Sequence, residues 1–398
     1  MQNQLRAKQL RVKQRYLYYD MKNSVEDFRI TTPSEYSRFA EVLGWCGKAT
    51  DALADRVVFR KFKNDNFDMN TIYNLNNKDI MMDSCVLSAL ISSCSFIYIS
   101  TDPRGMPRMQ VIDGGNATGE LDPITYMLRE GYAVLSRDEK GRPDLDAYFR
   151  AGSTQYRDYK ENRIWTVRNN APYPLLVPVI HRPDASRPFG RSRISRSCMN
   201  IMQGALRTLK RMEISAEFYS FPQKYILGLS DSAEFESRKA TISSFLSFGK
   251  DEDGDTPKVG QFTQQSMSPY IEQLRAQAAL FAGETGLTMD DLGFVTDNPS
   301  SAEAIKAAHE NLRLAARKAQ RDFGIGFLNA GYLAACLRDK FPYKREEIYN
   351  TTPIWEPIFE PDAAALSGIG DAINKIGQVV PGYFSKDVLY ELTGIEGE

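Results

Sequence analysis

The chain has 398 residues, 42% hydrophobic and 25% charged, a balance that excludes disordered and collagen-like classes. It exceeds the roughly 250–300 residues at which a single core stops growing, so two or three packed units are expected. Fifty basic against fifty-one acidic residues leave a formal net charge of −1, which excludes bulk electrostatic attachment to nucleic acid, so any DNA contact is local.

The N-terminus MQNQLRAKQLRVKQRY is polar and no long apolar window follows it, so neither a signal peptide nor a membrane span is expected, and the protein is expected in the cytoplasm where it is made. Leu5, Leu10, Tyr16 and Tyr19 mark a basic helix, and Ser34–Leu53 a second one after Pro33. Val57–Phe62 alternates as a strand does. Lys78–Ser92 has helical spacing and is followed by the β-branched and aromatic strand Phe96–Ile99. Asp102–Gly105 is a turn before a strand at Met109–Ile112, and further strands are expected at Tyr132–Leu135, Asp144–Phe149 and Arg163–Val167, with a turn at Lys140-Gly141. The first half is therefore mixed α and β, and the proline-rich segment Ala171–Gly190 is read as a domain end, because proline neither continues helices nor donates to a ladder.

From Ile194, the positions Ile194, Cys198, Ile201, Ala205, Thr208, Met212, Ser215 and Tyr219 alternate at intervals of four and three, a narrow seam of period about 3.5 facing other helices. Residues 192–219 would span roughly 42 Å as a helix. After Pro222, Gln223–Leu229 reads as a strand, Glu234–Phe248 as a short helix, and Pro257–Thr263 as a returning strand, together a βαβ-sized insertion. Its tip carries the acidic run Asp251, Glu252, Asp253 and Asp255, a solvated charge cluster without the closing glutamate of a calcium loop. Ser268 and Pro269 start the next helix, Gly283 is expected to end it, and Ile271, Leu274, Ala278 and Phe281 form its buried face. Residues 286–299 form a loop, and Ser300 with Glu303 makes a capping box for a long helix whose stripe is Ile305, Leu312, Ala316, Ala319 and Phe323, with Gly324 and Gly326 as bending points. A proline-punctuated extended stretch and two short helices, at 363–380 and 385–393, complete the chain.

Catalytic chemistry is not legible. The two histidines, His181 and His309, stand apart from any nucleophile motif, and neither Gly47-Lys48 nor Asp113–Gly119 satisfies the spacing of a phosphate loop. The five cysteines, Cys46, Cys85, Cys94, Cys198 and Cys336, have no C-x-x-C pair and read as small buried hydrophobes in a reducing compartment. No cofactor and no metal site are expected. The carboxylate pairs Asp51 with Asp55 and Asp290 with Asp291 are the residue types a metal-dependent nuclease would use, but such pairs are more often surface charges or caps. Positive charge concentrates at Arg187, Arg191, Arg193, Arg196, Arg207, Lys210 and Arg211, suited either to intersubunit ion pairs or to phosphate contact along a channel wall.

Four blocks, GWCGKATDALADRVVFRKF (44–62), HRPDASRPFGRSRISRS (181–197), MEISAEFYSFPQKYILGL (212–229) and DNPSSAEAIKAAHENLRLAARKAQRDFG (297–324), together resemble the portal proteins of long-tailed, siphophage-type bacteriophages, in the family's order and over nearly the whole chain. The resemblance implies an α+β portal fold that forms a ring of twelve at one capsid vertex. Residues 1–190 would be the wing, 191–219 and 265–287 the stem helices, 220–264 the clip, 288–300 the tunnel loop, 301–359 the long helix and return to the wing, and 360–398 a short helical crown. It further implies a non-enzymatic virion protein that nucleates procapsid assembly with the major capsid and scaffold proteins. Such a ring docks the terminase large subunit, then a head-tail adaptor, and passes double-stranded DNA without sequence preference during packaging and ejection. On this reading Thr288, Asp290, Asp291, Thr296, Asp297, Asn298 and Pro299 line the channel, the acidic run meets clip partners, and Ile194, Cys198, Ile201, Ala205, Met212, Ile271, Leu274 and Phe281 pack the stem and ring. A channel loop without Lys or Arg suits DNA that must slide, since every neutralised phosphate adds affinity. Another head-tail connector or minor capsid protein is the alternative within this class.

Overall fold

The computed structural model describes residues 1–25, 41–220, 224–227, 258–261, 266–294, 305, 307–359, 363–393 and 395. It is mixed α and β and divides into two compact units, one of residues 1–23, 44–199 and 281–398, the other of residues 24–43 and 200–280.

The larger unit opens with α1 (Gln2–Tyr19), α2 (Trp45–Ala54), β1 (Phe59–Lys63), α3 (Met69–Leu75) and α4 (Lys78–Ser92). The strands β2 (Cys94–Thr101), β3 (Pro107–Asp113) and β9 (Leu176–Ile180) form an antiparallel sheet in the order β3-β2-β9. Between them in sequence, β4 (Ala117–Leu121), β5 (Leu128–Arg137), β6 (Pro143–Arg150), β7 (Ser153–Asp158) and β8 (Arg163–Arg168) run as a five-stranded antiparallel meander.

The central strand β2 is buried on both faces, and its alternation sorts the neighbours. On one face Tyr98 meets the meander: its hydroxyl lies 2.7 Å from that of Tyr156, and its ring 5.5 Å from Phe149. Leu176, opposite Tyr98 in β9, packs over Gly131 of β5. On the other face the Ser95 hydroxyl donates to the Cys85 carbonyl of α4 at 2.7 Å. That face also receives α7 (Glu310–Arg338), whose Gly326 lies against Val179. The predicted stripe Leu312, Ala316, Ala319 and Phe323 is buried, whereas Ile305 is exposed. The Tyr73 hydroxyl of α3 donates to the Phe327 carbonyl at 2.6 Å, and β12 (Thr352–Trp355) closes on β1 as an antiparallel pair. The helices α8 (Ala363–Val379) and α9 (Lys386–Thr393) follow.

The segment 171–190, read as a domain end, contains the fully buried strand β9. Pro178 fits because β9 is an edge strand bonded to β2 through Leu175, His181 and the odd-numbered residues between, so the position opposite Phe96 needs no N–H. Gly324 and Gly326, expected as bending points, lie within the continuous helix α7. They admit close neighbours, Pro353 at Gly324 and Val179 at Gly326.

The smaller unit holds most of α5 (Arg196–Ser220) and α6 (Ser268–Thr285), together with β10 (Lys224–Leu227) and β11 (Lys258–Gln261). The two strands pair antiparallel, Lys224 opposite Gln261 and Leu227 opposite Lys258, so they are not the parallel strands of a βαβ unit. The helix α6 runs through Gly283. Gly286, at φ +69°, supplies the left-handed cap residue, its N–H donating to the Ala282 carbonyl at 2.8 Å.

Candidate functional surfaces

Ser195 caps α5 by accepting the Cys198 N–H at 3.1 Å, while its hydroxyl donates to Glu284 at 2.8 Å. Part of the seam that follows is buried within the chain. Ile194, Cys198 and Phe281 are buried in the larger unit, Phe281 with its ring 5.6 Å from Trp45, and Ala205 is buried in the smaller one. These four residues pack their own chain's core. Ile201, Met212 and Leu274 are half-buried, and Ile271 is 53% exposed.

The two polar members of the seam explain its register. The Thr208 hydroxyl lies 3.4 Å from the Gln277 amide oxygen, and the Ser215 hydroxyl 2.9 Å from that of Tyr270. Seven residues forward on α5 match seven residues backward on α6, so the helices are antiparallel partners within one chain.

The positive run separates into spent and exposed charges. Arg191 holds Asp184 through two bonds, of 2.9 and 2.7 Å, and Ser186 and Arg191 together keep that carboxyl well below the usual range. Arg193 donates to the Ala49 carbonyl at 3.3 Å and to that of Thr285, the last residue of α6. Burial lowers its guanidinium to about 10. Lys210 is buried, 4% exposed, and acts on the Glu41 carboxyl, which burial and Glu213 raise. Within the chain, Arg193 is thus tied to backbone carbonyls and Lys210 is buried. Arg207 is half-buried, and Arg196 and Arg211 are exposed.

Of the residues expected to line a channel, Thr288 and Asp291 build a capped turn. The Thr288 N–H and hydroxyl each donate to Asp291 Oδ2 at 2.9 Å, and the Asp291 N–H returns to Thr288 Oγ1 at 3.1 Å. Burial pushes the Asp291 carboxyl up, but the Thr288 donors and His309, 3.3 Å away, hold it below its usual value. Asp290 is exposed beside them. Thr296, Asp297, Asn298 and Pro299, and the acidic run Asp251, Glu252, Asp253 and Asp255, lie outside the described residues, as does the Ser300–Glu303 capping box.

Asp51 accepts the Tyr19 hydroxyl at 2.8 Å, an interhelical bond within the larger unit. His181 is buried, with Nδ1 2.7 Å from the Arg191 carbonyl oxygen, and all five cysteines are buried. Among the described residues no group of three His, Cys, Asp or Glu is placed to hold a metal ion, and no helix is long and apolar enough to cross a membrane. Sequence reasoning missed the basic face of α1, where Lys8, Arg11 and Arg15 meet Arg187. Their spacing of three and four residues was the available signal.

No protein-family model matches the chain. It is 25% identical over 315 residues to the portal protein of Mycobacterium phage L5, a match covering 74% of this chain and 65% of that protein. It is also 25% identical over 345 residues to the portal protein of Mycobacterium phage D29, covering 80% and 69% respectively. The chain thus spans about two thirds of the length of these curated relatives. Among solved structures, a chain from the virion of a native gene transfer agent particle is 13% identical with a TM-score of 0.46, over 89% of this chain and 90% of that one. One from the neck of the native particle, computed with C12 symmetry, is 13% identical with a TM-score of 0.44, over 97% and 100%. These scores are too low for a shared fold to be inferred from them.

Proposed function

We propose that this relative of the mycobacteriophage portal proteins is itself a portal subunit: one of twelve in a ring at a capsid vertex, a conduit for double-stranded DNA in packaging and ejection. The observation that carries the reading is the sequence relationship to two curated portal proteins over 74% and 80% of the chain. The work of moving DNA belongs to a docked terminase. This chain supplies the passage, the partner surfaces and the nucleus for capsid and scaffold proteins, and a head-tail adaptor succeeds the terminase after packaging.

The geometry supports a division of labour. The larger unit, which gathers residues 281–398 with the N-terminal part, suits a wing to which the long helix returns, with 360–398 as a crown. The antiparallel pair α5 and α6 suits a stem, and the strand pair β10–β11 suits the base of a clip whose acidic run meets partners. In the tunnel loop, Asp291 and Thr288 hold the turn, leaving exposed Asp290 and the residues Thr296 to Pro299 to face DNA. A carboxylate in such a passage keeps phosphate contacts weak and motion easy.

Native mass spectrometry of the purified chain tests this. A ring close to twelve times the 45.0 kDa chain mass is expected, with a central channel in electron micrographs. A protein that stays monomeric at high concentration, with or without scaffold, would overturn the proposal.

A further inference from the structure

A cleft of about 480 Å³ opens in the larger unit between α1 and the loop before α5. That volume lies within the range of about 300–1,000 Å³ typical of small-ligand sites. One wall is the face of α1 that carries Lys8, Arg11 and Arg15. The other is Arg187 with Phe189.

Both walls are fixed. The Lys8 ammonium bonds the Cys94 sulfur at 3.0 Å and stands over the rings of Phe96 and Phe189, at 5.3 and 5.6 Å. The loop is tied to the residue after β9 by the Arg191 N–H, which donates to the His181 carbonyl at 2.8 Å, and is closed on itself by the Asp184–Arg187 backbone bridge. Gly190 makes this turn possible: at φ +72° a Cβ would stand 2.1 Å from the His181 carbonyl oxygen.

The loop's carboxylate, Asp184, is already committed to Arg191, to Ser186 and to the turn. Among the described residues no ion pair neutralises Lys8, Arg11, Arg15 or Arg187. Burial, then the charges of Arg11 and Arg187, hold the Arg15 guanidinium below its ordinary value. The fold therefore carries a repulsive cationic cluster around a cavity, and a multivalent anion would relieve it.

We propose that this cleft binds a phosphate-class oxyanion, either free or within a phosphodiester backbone. Guanidinium groups match phosphate oxygens two bonds at a time, and three of them with an ammonium exceed what a single carboxylate would satisfy. The site is independent of the ring proposed above.

Calorimetric titration of the full chain with pyrophosphate, at constant ionic strength set by chloride, tests the site. Saturable binding is expected, weakened about tenfold or more by Arg11→Ala and by Arg187→Ala, each of which removes an exposed charge. Without ligand, both variants and Arg15→Gln should melt at or above the wild-type temperature, because each removes repulsion. Absence of saturable binding, or equal affinity in wild type and both alanine variants, overturns the proposal. A short DNA duplex added as competitor separates the two sources. Displacement of pyrophosphate supports a phosphodiester ligand, and retention supports a free phosphate group.

Discussion

Gly326 of α7 lies directly over Val179 of β9, so close that an added Cβ would stand 2.9 Å from Val179 Cγ2 and 3.0 Å from the Pro178 carbonyl oxygen. Backbone and packed valine cannot both yield, so Gly326→Ala should cost about 1–3 kcal/mol despite the better helix propensity of alanine. Gly283, exposed on α6 with nothing within 4 Å of its would-be Cβ, is the control. There Gly283→Ala should add about 0.5–1 kcal/mol. Denaturant unfolding of both variants checks the pair, and equal signs would show that close packing does not govern Gly326.

That pair also marks where the sequence was legible. Lys78–Ser92 has the same limits in the structure because its apolar spacing and its own length determine it. The glycines of α7 were ambiguous, since a residue without a side chain permits a bend and a close approach alike, and only the neighbour at Val179 decides. The strand at 176–180 was hidden because proline was weighed without knowing that the strand lies at an edge. Period alone showed the α5 seam, but not whether its partner was α6 or another copy. The spacing of Lys8, Arg11 and Arg15 on α1 was readable, but Arg187 is remote from them in sequence, and only the fold of the 184–191 loop joins them.

His181 couples stability to acid. Burial drives its imidazole from 6.5 to about 3, so the folded protein keeps it neutral while the unfolded chain takes up a proton below about pH 6.5. The unfolded state then binds more protons, and stability falls as pH drops from 6.5 toward 3, at up to about 1.4 kcal/mol per pH unit. Unfolding measured between about pH 7 and pH 5 should show this slope in wild type and a flatter one in His181→Gln. Parallel slopes would assign the acid sensitivity to other groups.

Arg193 joins the middle of α2 to the last residue of α6, two elements that the chain separates widely, through the carbonyls of Ala49 and Thr285. Losing it leaves both acceptors without their charged donor and opens a gap where its stem was packed, so Arg193→Ala should destabilise the larger unit by about 2–4 kcal/mol. Arg193→Lys should recover only part, because one ammonium cannot span both carbonyls as the fork does. Thermal melts of the two variants check the order. A lysine variant as stable as wild type would reduce the role of Arg193 to charge alone.

The acidic run tests the clip assignment separately. Replacing Asp251, Glu252, Asp253 and Asp255 by their amides should weaken adaptor or terminase binding and make the remainder less sensitive to salt, since complementary charge acts through both. Unchanged affinity for both partners would leave the run as solubilising charge.

The proposed ring puts a demand on α6. Ile271 and Leu280 are 53% and 63% exposed and stand nine residues apart, half a turn around the helix. They flank the inward stripe of Leu274, Ala278 and Phe281 on opposite sides. A subunit in a closed ring has two neighbours that touch different surfaces, so two apolar positions on opposite flanks suit a head-to-tail contact. Burying each would contribute about 1–3 kcal/mol per interface, and every interface of the ring repeats it. The double variant Ile271→Asp, Leu280→Asp should therefore shift native mass from ring toward smaller species at a given concentration. Its circular dichroism and melting as a separate chain should remain near wild type, because both side chains already face solvent there. Rings that persist undiminished in the double variant would place the subunit contact elsewhere than on α6.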